Sequence, residues 1–579
     1  MRLSLTALIA LAAGCSDVAQ VELPSEPDGA SSQTTVGDPS SDAESGDDGM
    51  VLATTSTSGI GTDGSGEASG MGVASSSSGS GSPTPLSTGT TTNTESTGSG
   101  MEAPVTYAEV SLSVGIDVAH ESIDLFATEG QAWGDYDGDG VLDLVVTSQL
   151  APNHLFRGTG SGSFDAIAWP VAGMELTATA STGAVFVDFD NDTLPDLYLL
   201  AFGENTMLRN DGAGGFTDVS LASGLADVGH GETAAWGDYD GDGLLDVYVA
   251  NNEITLPDRL LHNDGGGSFS EMPGVLDITT RTRLAFSASF FDYDLDGDVD
   301  LYVVNDKAGG NVLWRNDGPG CGHWCFTDVS ASSGAGLEMG SMGLAVGDYD
   351  NDGDQDVFIS DLGPMKLLNN QAAQGQPVFV EVAEQAGALV DEELWNQYGW
   401  GAQFIDYDND GWLDLYVAIG QLNFGAARPN VMLRNMHDGT FLRLPDAAGA
   451  EDTRRSQGLA IADYDEDGWV DILVGNAADS FALFHNEGGG ASWLEIELRG
   501  DGETVSTDAV GARVSVTDDT GRTQTREVIC GSSLGAGSML RLHFGFGDAS
   551  PTSMTIRWPD GSTETTYDVP VNILHSIDF

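Results

Sequence analysis

Beyond Thr106, apolar residues come in short runs rather than at helical spacing. "ETAAWGD", "LDVYVAN" and "LDLYVAI" are nearly continuous stretches of β-branched, aromatic and small residues, bounded by Asp, Asn or Gly. Runs of that length and composition between turn residues predict short buried strands. Each is followed by a shorter strand ending in a polar turn, as in "RLLHNDGGGSF", "TMLRNDGAGGF" and "NVLWRNDGPG", and then by a strand such as "FTDVS". Asn-Asp-Gly between apolar runs signals a hairpin. The pattern predicts four short antiparallel strands per unit, with no room for a helix of ordinary length.

The unit repeats. Its marker is D-x-D-x-D-x-x-x-D, found as "DYDGDGVLD" at Asp135, "DFDNDTLPD" at Asp188, "DYDGDGLLD" at Asp238 and "DYDLDGDVD" at Asp292. It continues as "DYDNDGDQD" at Asp348, "DYDNDGWLD" at Asp406 and "DYDEDGWVD" at Asp463, with starts 50 to 58 residues apart. A regular period of this length means repeat architecture. Seven four-stranded units predict an all-β, seven-bladed β-propeller over 105–490. "YAEVS" at Tyr107–Ser111 matches the fourth strand of a unit but has no hairpin before it, so it is expected to complete the last blade and remove the exposed edges. From about Ala491 the pattern changes to "WLEIELRG", "DAVGARVSVTD", "LRLHFGFG" and "SMTIRWPDGSTETTYDV". Residues 491–579 read as a small, separate, β-sandwich-like domain.

The first residues differ. Arg2, an apolar run from Leu3 to Ala13 and then Cys15 form a secretory leader over 1–15, too short to remain as a spanning helix. "LAAGC" resembles a lipobox with Cys15 as the lipidated residue, although Ala12 stands where Leu is usual; the alternative is an ordinary signal peptide. Residues 16–104 are Ser, Thr and Gly with scattered acids and predict a disordered tether, with a span of roughly 50 Å. The chain carries 90 acidic and 20 basic residues, a formal charge of −70. That field repels nucleic acid and anionic membrane surfaces and attracts cations.

The repeated loop is where cations would go. Its carboxylates at positions 1, 3, 5 and 9 are Asp135, Asp137, Asp139 and Asp143; Asp188, Asp190, Asp192 and Asp196; Asp238, Asp240, Asp242 and Asp246; Asp292, Asp294, Asp296 and Asp300. The remaining sets are Asp348, Asp350, Asp352 and Asp356; Asp406, Asp408, Asp410 and Asp414; Asp463, Asp465, Asp467 and Asp471. Position 7 would offer a backbone carbonyl, from Val141, Leu194, Leu244, Asp298, Asp354, Trp412 and Trp469. Convergent oxygens with Gly at position 6 for the sharp turn suit a hard cation of calcium size, up to seven Ca²⁺ in all. The loop is not an EF-hand: position 12 is Val146 or Val249 rather than Glu. The second loop departs most, with Thr193 at position 6 and Pro195 after it.

Other chemistry is sparse. Cys321 and Cys325 in "CGHWC" fit a local disulfide in an exported chain; zinc with His323 is the weaker alternative. Cys530 remains, as a small buried hydrophobe. His262 and His485 stand in register with Arg209, Arg315 and Arg434 and read as structural. No nucleophile–base arrangement stands out. The sixth unit is longer at both connections opposite the metal loops, which would gather Trp395, Tyr398, Trp400, Phe424 and Arg428 on that face. Aromatics with one Arg suit a glycan or protein ligand; the plainer alternative is that they pack the loops on each other.

The repeats resemble the FG-GAP/VCBS family of calcium-binding propellers. "DAVGARV", "REV" before "GSS", "LHFGFG" and "RWPDGS" resemble the ASPIC/UnbV domain. Together they look like the cartilage acidic protein-like family in a bacterial lipoprotein form. The resemblance implies calcium binding and an extracellular setting, on the outer surface or outer membrane through a lipid anchor, or else secreted. The reading that follows is a non-enzymatic binding or adhesion module for protein or polysaccharide. The alternatives are a polysaccharide lyase or hydrolase on a propeller scaffold, or a structural envelope protein.

Overall fold

The computed structural model describes residues 104–118, 128–167, 180–212, 214–272, 274–277, 279, 281–306, 309–321, 324–390, 398–420 and 428–579. The leader with Cys15, the tether up to residue 103, and His323 lie outside them.

The described residues are all-β apart from single helical turns. The first unit pairs Gln131–Gly134, Asp143–Val146, His154–Gly158 and Phe164–Ile167 in sequence order, antiparallel throughout. The same order recurs in units whose innermost strands are Ala180–Val187, Val228–Gly237, Leu284–Phe291, Ser341–Gly347 and Tyr398–Ile405. The last unit has Ser456–Ala462, Asp471–Asn476 and Ala482–Asn486, and its fourth strand is Tyr107–Glu109, with Tyr107 opposite Asn486. Innermost strands pack each on the next, and Ser456–Ala462 packs on Gln131–Gly134, which makes the arrangement propeller-like. Inner strands such as Leu284–Phe291 are buried on both faces, which explains their unbroken apolar sequence. Outer strands bury only their first residue, as in Phe216–Asp218.

Two side-chain devices join unit to unit. The hairpin Asn sends its Nδ2 to the backbone carbonyl at loop position 2 of the preceding unit: Asn210 to Tyr136 at 2.7 Å, Asn263 to Phe189 at 2.9 Å, Asn316 to Tyr239 at 2.7 Å, and so on through Asn486 to Tyr407. The aromatic at position 2 meanwhile packs on the Phe that opens the next unit's outer strand, as Tyr136 on Phe216 and Tyr293 on Phe379. Tyr464 of the last unit does the same with Phe164 of the first. At that junction Gly158 takes the hairpin Asn position, so no amide clamp is made there.

Residues 491–579 form two sheets of their own. One holds Leu542–Gly547, Ser492–Arg499 and Leu574–Asp578; the other holds Thr523–Glu527, Arg513–Asp518, Pro551–Arg557 and Thr563–Thr566. They share one apolar cluster, including Ile496, Val514, Phe544 and Ile556. This part is less separate than its sequence suggests, because residues 102–579 make one compact unit. Its segment 528–541 enters the centre of the repeats and touches the innermost strand of every unit. Trp236 N–H donates to Cys530 O, Ser533 N–H to Leu344 O, and Met539 N–H to Ile461 O, at 3.0 to 3.1 Å. Ala536 and Gly537 pair in parallel with Gln131 and Ala132, Ala184 N–H reaches Gly535 O, Ser287 Oγ donates to Ser533 O, and Gln403 Nε2 reaches Ser538 Oγ. Leu534 packs against Phe286, Met342 and Trp400.

That contact corrects the place expected for Trp400. Trp400 is fully buried in the centre, with its ring edge-on to Phe286. The innermost strand begins at Tyr398, so Trp400 belongs to strand rather than loop. Tyr398 is partly buried against the same cluster, and Arg428 is exposed. Trp395 and Phe424 lie outside the described residues. Cys321 and Cys325 are disulfide-bonded, and Cys530 is buried with a free thiol.

The amide clamp is testable. Replacing Asn263 by Ala removes bonds to Phe189 O and Leu245 O and leaves buried carbonyls without a donor. A loss of about 2–3 kcal/mol in chemical denaturation is expected; the same change at exposed Asp264 should have no measurable effect.

Candidate metal centre

Each D-x-D-x-D-x-x-x-D loop joins the first and second strands of a unit, and its hydrogen bonds repeat. In the first loop Asp135 accepts the N–H groups of Asp139 and Gly140 at 3.1 and 2.8 Å, and Asp139 accepts that of Val141. Asp143 accepts Tyr136 N–H at 3.0 Å on one oxygen and Gly158 N–H at 2.8 Å on the other. Position 1 therefore shapes the turn, and position 9 ties the loop to the hairpin. Six of the seven position-3 carboxylates, those of Asp190, Asp240, Asp294, Asp350, Asp408 and Asp465, keep one buried oxygen with no hydrogen-bond partner. A buried anionic oxygen without a donor is costly, so these atoms fit a cation. Donor atoms of Asp135, Asp137 and Asp143 lie within 4.8 Å of one another, as do those of Asp188, Asp190 and Asp196 and of Asp238, Asp240 and Asp246. An all-carboxylate set of this kind suits a hard cation with oxygen ligands.

The second loop keeps the geometry despite its sequence. Thr193 takes φ +74°, close to the +89° of Gly140, and its N–H still reaches Asp188 at 2.7 Å. A β-branched residue there is strained.

Several contacts could not be read from the sequence. Where position 4 is Asn, its Nδ2 bonds the position-6 carbonyl of the next loop: Asn191 to Gly243, Asn351 to Gly411 and Asn409 to Gly468, at 2.9 to 3.0 Å. The residues in register before the hairpin Asn meet the loop carboxylates. His262 Nε2 lies 3.1 Å from Asp240, Arg434 Nη2 2.7 Å from Asp408, and Arg157 Nε 2.6 Å from Asp137. The C-terminal domain adds its own side chains to the same face. Arg541 donates to Gly140 O at 3.1 Å, Arg522 to Asp410 O at 2.6 Å, Arg513 to Gly353 O, and Arg557 to Asp292 at 3.1 Å. The signal for this was weak: five arginines between 513 and 557 in a chain with few basic residues.

Burial pushes the position-9 carboxyls upward, with Asp143 at about 8, Asp196 at about 9 and Asp471 at about 7. Without a cation these groups hold protons in the fold that the unfolded chain has already lost.

Comparison with known proteins agrees with this geometry. Repeated strand–loop–strand units with acidic loops define an acidic-loop repeat protein. The chain belongs to the FG-GAP-like repeat family, matched over 135–199, 188–249, 238–303, 292–359 and 406–474, with an "ASPIC and UnbV" segment over 502–578. It is similar to cartilage acidic protein 1 of Mus musculus, 24% identical over 476 residues that cover 75% of this chain and 70% of that protein. The Homo sapiens protein is 24% identical over 482 residues, covering 75% and 69%. Among solved structures, an Agrocybe aegerita lectin specific for non-reducing terminal N-acetylglucosamine aligns at TM-score 0.36 and 16% identity over 61% of this chain and 87% of its own, too distant to carry an argument.

Two outcomes follow for the loops. Thr193→Gly should stabilise the protein by about 1 kcal/mol, read as a higher melting temperature, because the strain is relieved. In excess EGTA, stability should fall as pH rises from about 5 to 8: a carboxyl raised in the fold helps most below its unfolded value and loses that help through its folded value. A melting temperature that rose over that range would contradict the burial of these groups.

Proposed function

We propose that the chain is a seven-bladed, calcium-binding propeller with a sandwich-like C-terminal domain, exported to the cell envelope or beyond, and that it serves as a binding module rather than an enzyme. The observation that carries calcium is the set of six partnerless buried oxygens at position 3. All-oxygen donors and a sharp glycine turn favour calcium over magnesium, which keeps more of its water.

The binding role is supported by what each face leaves open. The loop face is taken by the C-terminal domain. On the opposite face Leu150, Phe202, Val228, Ile254 and Leu256 are 40 to 61% exposed. They lie in adjoining connections: Phe202 pairs with both Ala180 and His230, and Asn252 N–H bonds His230 O. Exposed apolar residues grouped in this way suit a protein or polysaccharide ligand. On this reading the ligand would sit on units one to three rather than on the sixth.

Calcium at a hundred times its dissociation constant stabilises a fold by about 2.7 kcal/mol per filled site. The melting temperature should therefore rise clearly in calcium and drop in EGTA; an unchanged transition would remove calcium from the account. Glycan and protein arrays test the rest. Retention lost in the double change Phe202→Ser with Ile254→Ser supports a binding face, whereas release of glycan fragments would favour a lyase or hydrolase.

A further inference from the structure

The interface between the C-terminal domain and the loops buries like charges. Asp508 Oδ2 accepts the N–H of Asp188 at 2.8 Å, and Glu527 Oε1 accepts that of Asp292 at 3.2 Å. Each bond sets a second carboxylate beside the first carboxylate of a loop. Glu527 is only 7% exposed and keeps one oxygen without a hydrogen-bond partner. Carboxylate pairs buried in this way disfavour docking unless a positive charge sits between or beside them.

The arginines meet part of that need. Arg557 pairs with Asp292, but Arg513, Arg522 and Arg541 spend donors on loop carbonyls. Arg541 also reaches Glu466 at 3.4 Å. Arg526 is buried and gives its bonds to Thr525 O and Gln524. Asp188–Asp508 has no direct arginine contact among the described residues. The interface is not tightly filled either, since a cavity of about 130 Å³ remains beside Arg526, Glu527 and His543. Apolar packing alone does not seal it.

We infer that the C-terminal domain is held on the loop face by the loop cations: ions in the second and fourth loops offset the pairs Asp188–Asp508 and Asp292–Glu527, and their loss releases segment 528–541 from the centre of the repeats. This rests on the calcium reading. Coupling of this kind is reciprocal, so the docked domain raises the cation affinity of the same two loops. Calcium thereby decides whether the centre of the propeller is plugged.

Hydrogen exchange on the full chain, with calcium and with EGTA, tests it beside calorimetric calcium titration. Protection of 528–541 should fall about tenfold or more in EGTA while strand Asp246–Asn251 keeps most of its protection. The double variant Asp508→Asn with Glu527→Gln keeps the acceptors and removes two charges, so its EGTA loss should shrink to about threefold or less. Calcium binding with unchanged protection of 528–541 would overturn the inference and leave the calcium reading standing. So would equal loss in 528–541 and 246–251, or an undiminished loss in the double variant. No calcium uptake at all would sink both.

Discussion

A buried carboxylate at position 9 of each loop holds the repeats together. Asp246 is representative: it accepts Tyr239 N–H on one oxygen and Asn263 N–H on the other. That places Asn263 so that its amide reaches Phe189 O in the unit before. One side chain thus fixes the loop, the hairpin and the junction with the neighbour. Taking such a group out of water is expensive, and two backbone donors offset part of that cost. The same residue belongs to the donor cluster with Asp238 and Asp240. The fold's junctions and the acidic donor cluster therefore share one carboxylate.

The C-terminal domain extends this dependence to the whole assembly. Its segment 528–541 bonds to innermost strands that are far apart in sequence, from Ala132 to Ile461. Leu534 fills the space that Phe286, Met342 and Trp400 leave between them. A ring of repeats has few contacts across its centre, so a segment touching every unit adds cooperativity that nearest-neighbour packing cannot. The domain also covers the loop face, which leaves the opposite connections uncovered by it.

Much of the site was legible beforehand because it is local. Period, strand order and the four aspartates of each loop lie within short windows, and the φ of +74° at Thr193 shows that the backbone follows the motif even where the sequence departs from it. The closing strand was legible too, since "YAEVS" lacks its own hairpin. In sequence the hairpin Asn looks like a turn former, yet its amide serves the neighbouring unit. Trp400 looks like a loop residue, yet the strand starts at Tyr398 and turns it inward.

The sequence by itself determined the all-β repeat, the acidic loops and where the pattern breaks, because backbone turns and strand burial depend on near neighbours. Only the tertiary structure decided which side chains cross between units and where the C-terminal domain sits. Asn351 and Gly411 are 60 residues apart, and Arg557 and Asp292 are 265 apart. Contacts at such separations follow from how strands twist and pack around a centre, and no local pattern encodes them.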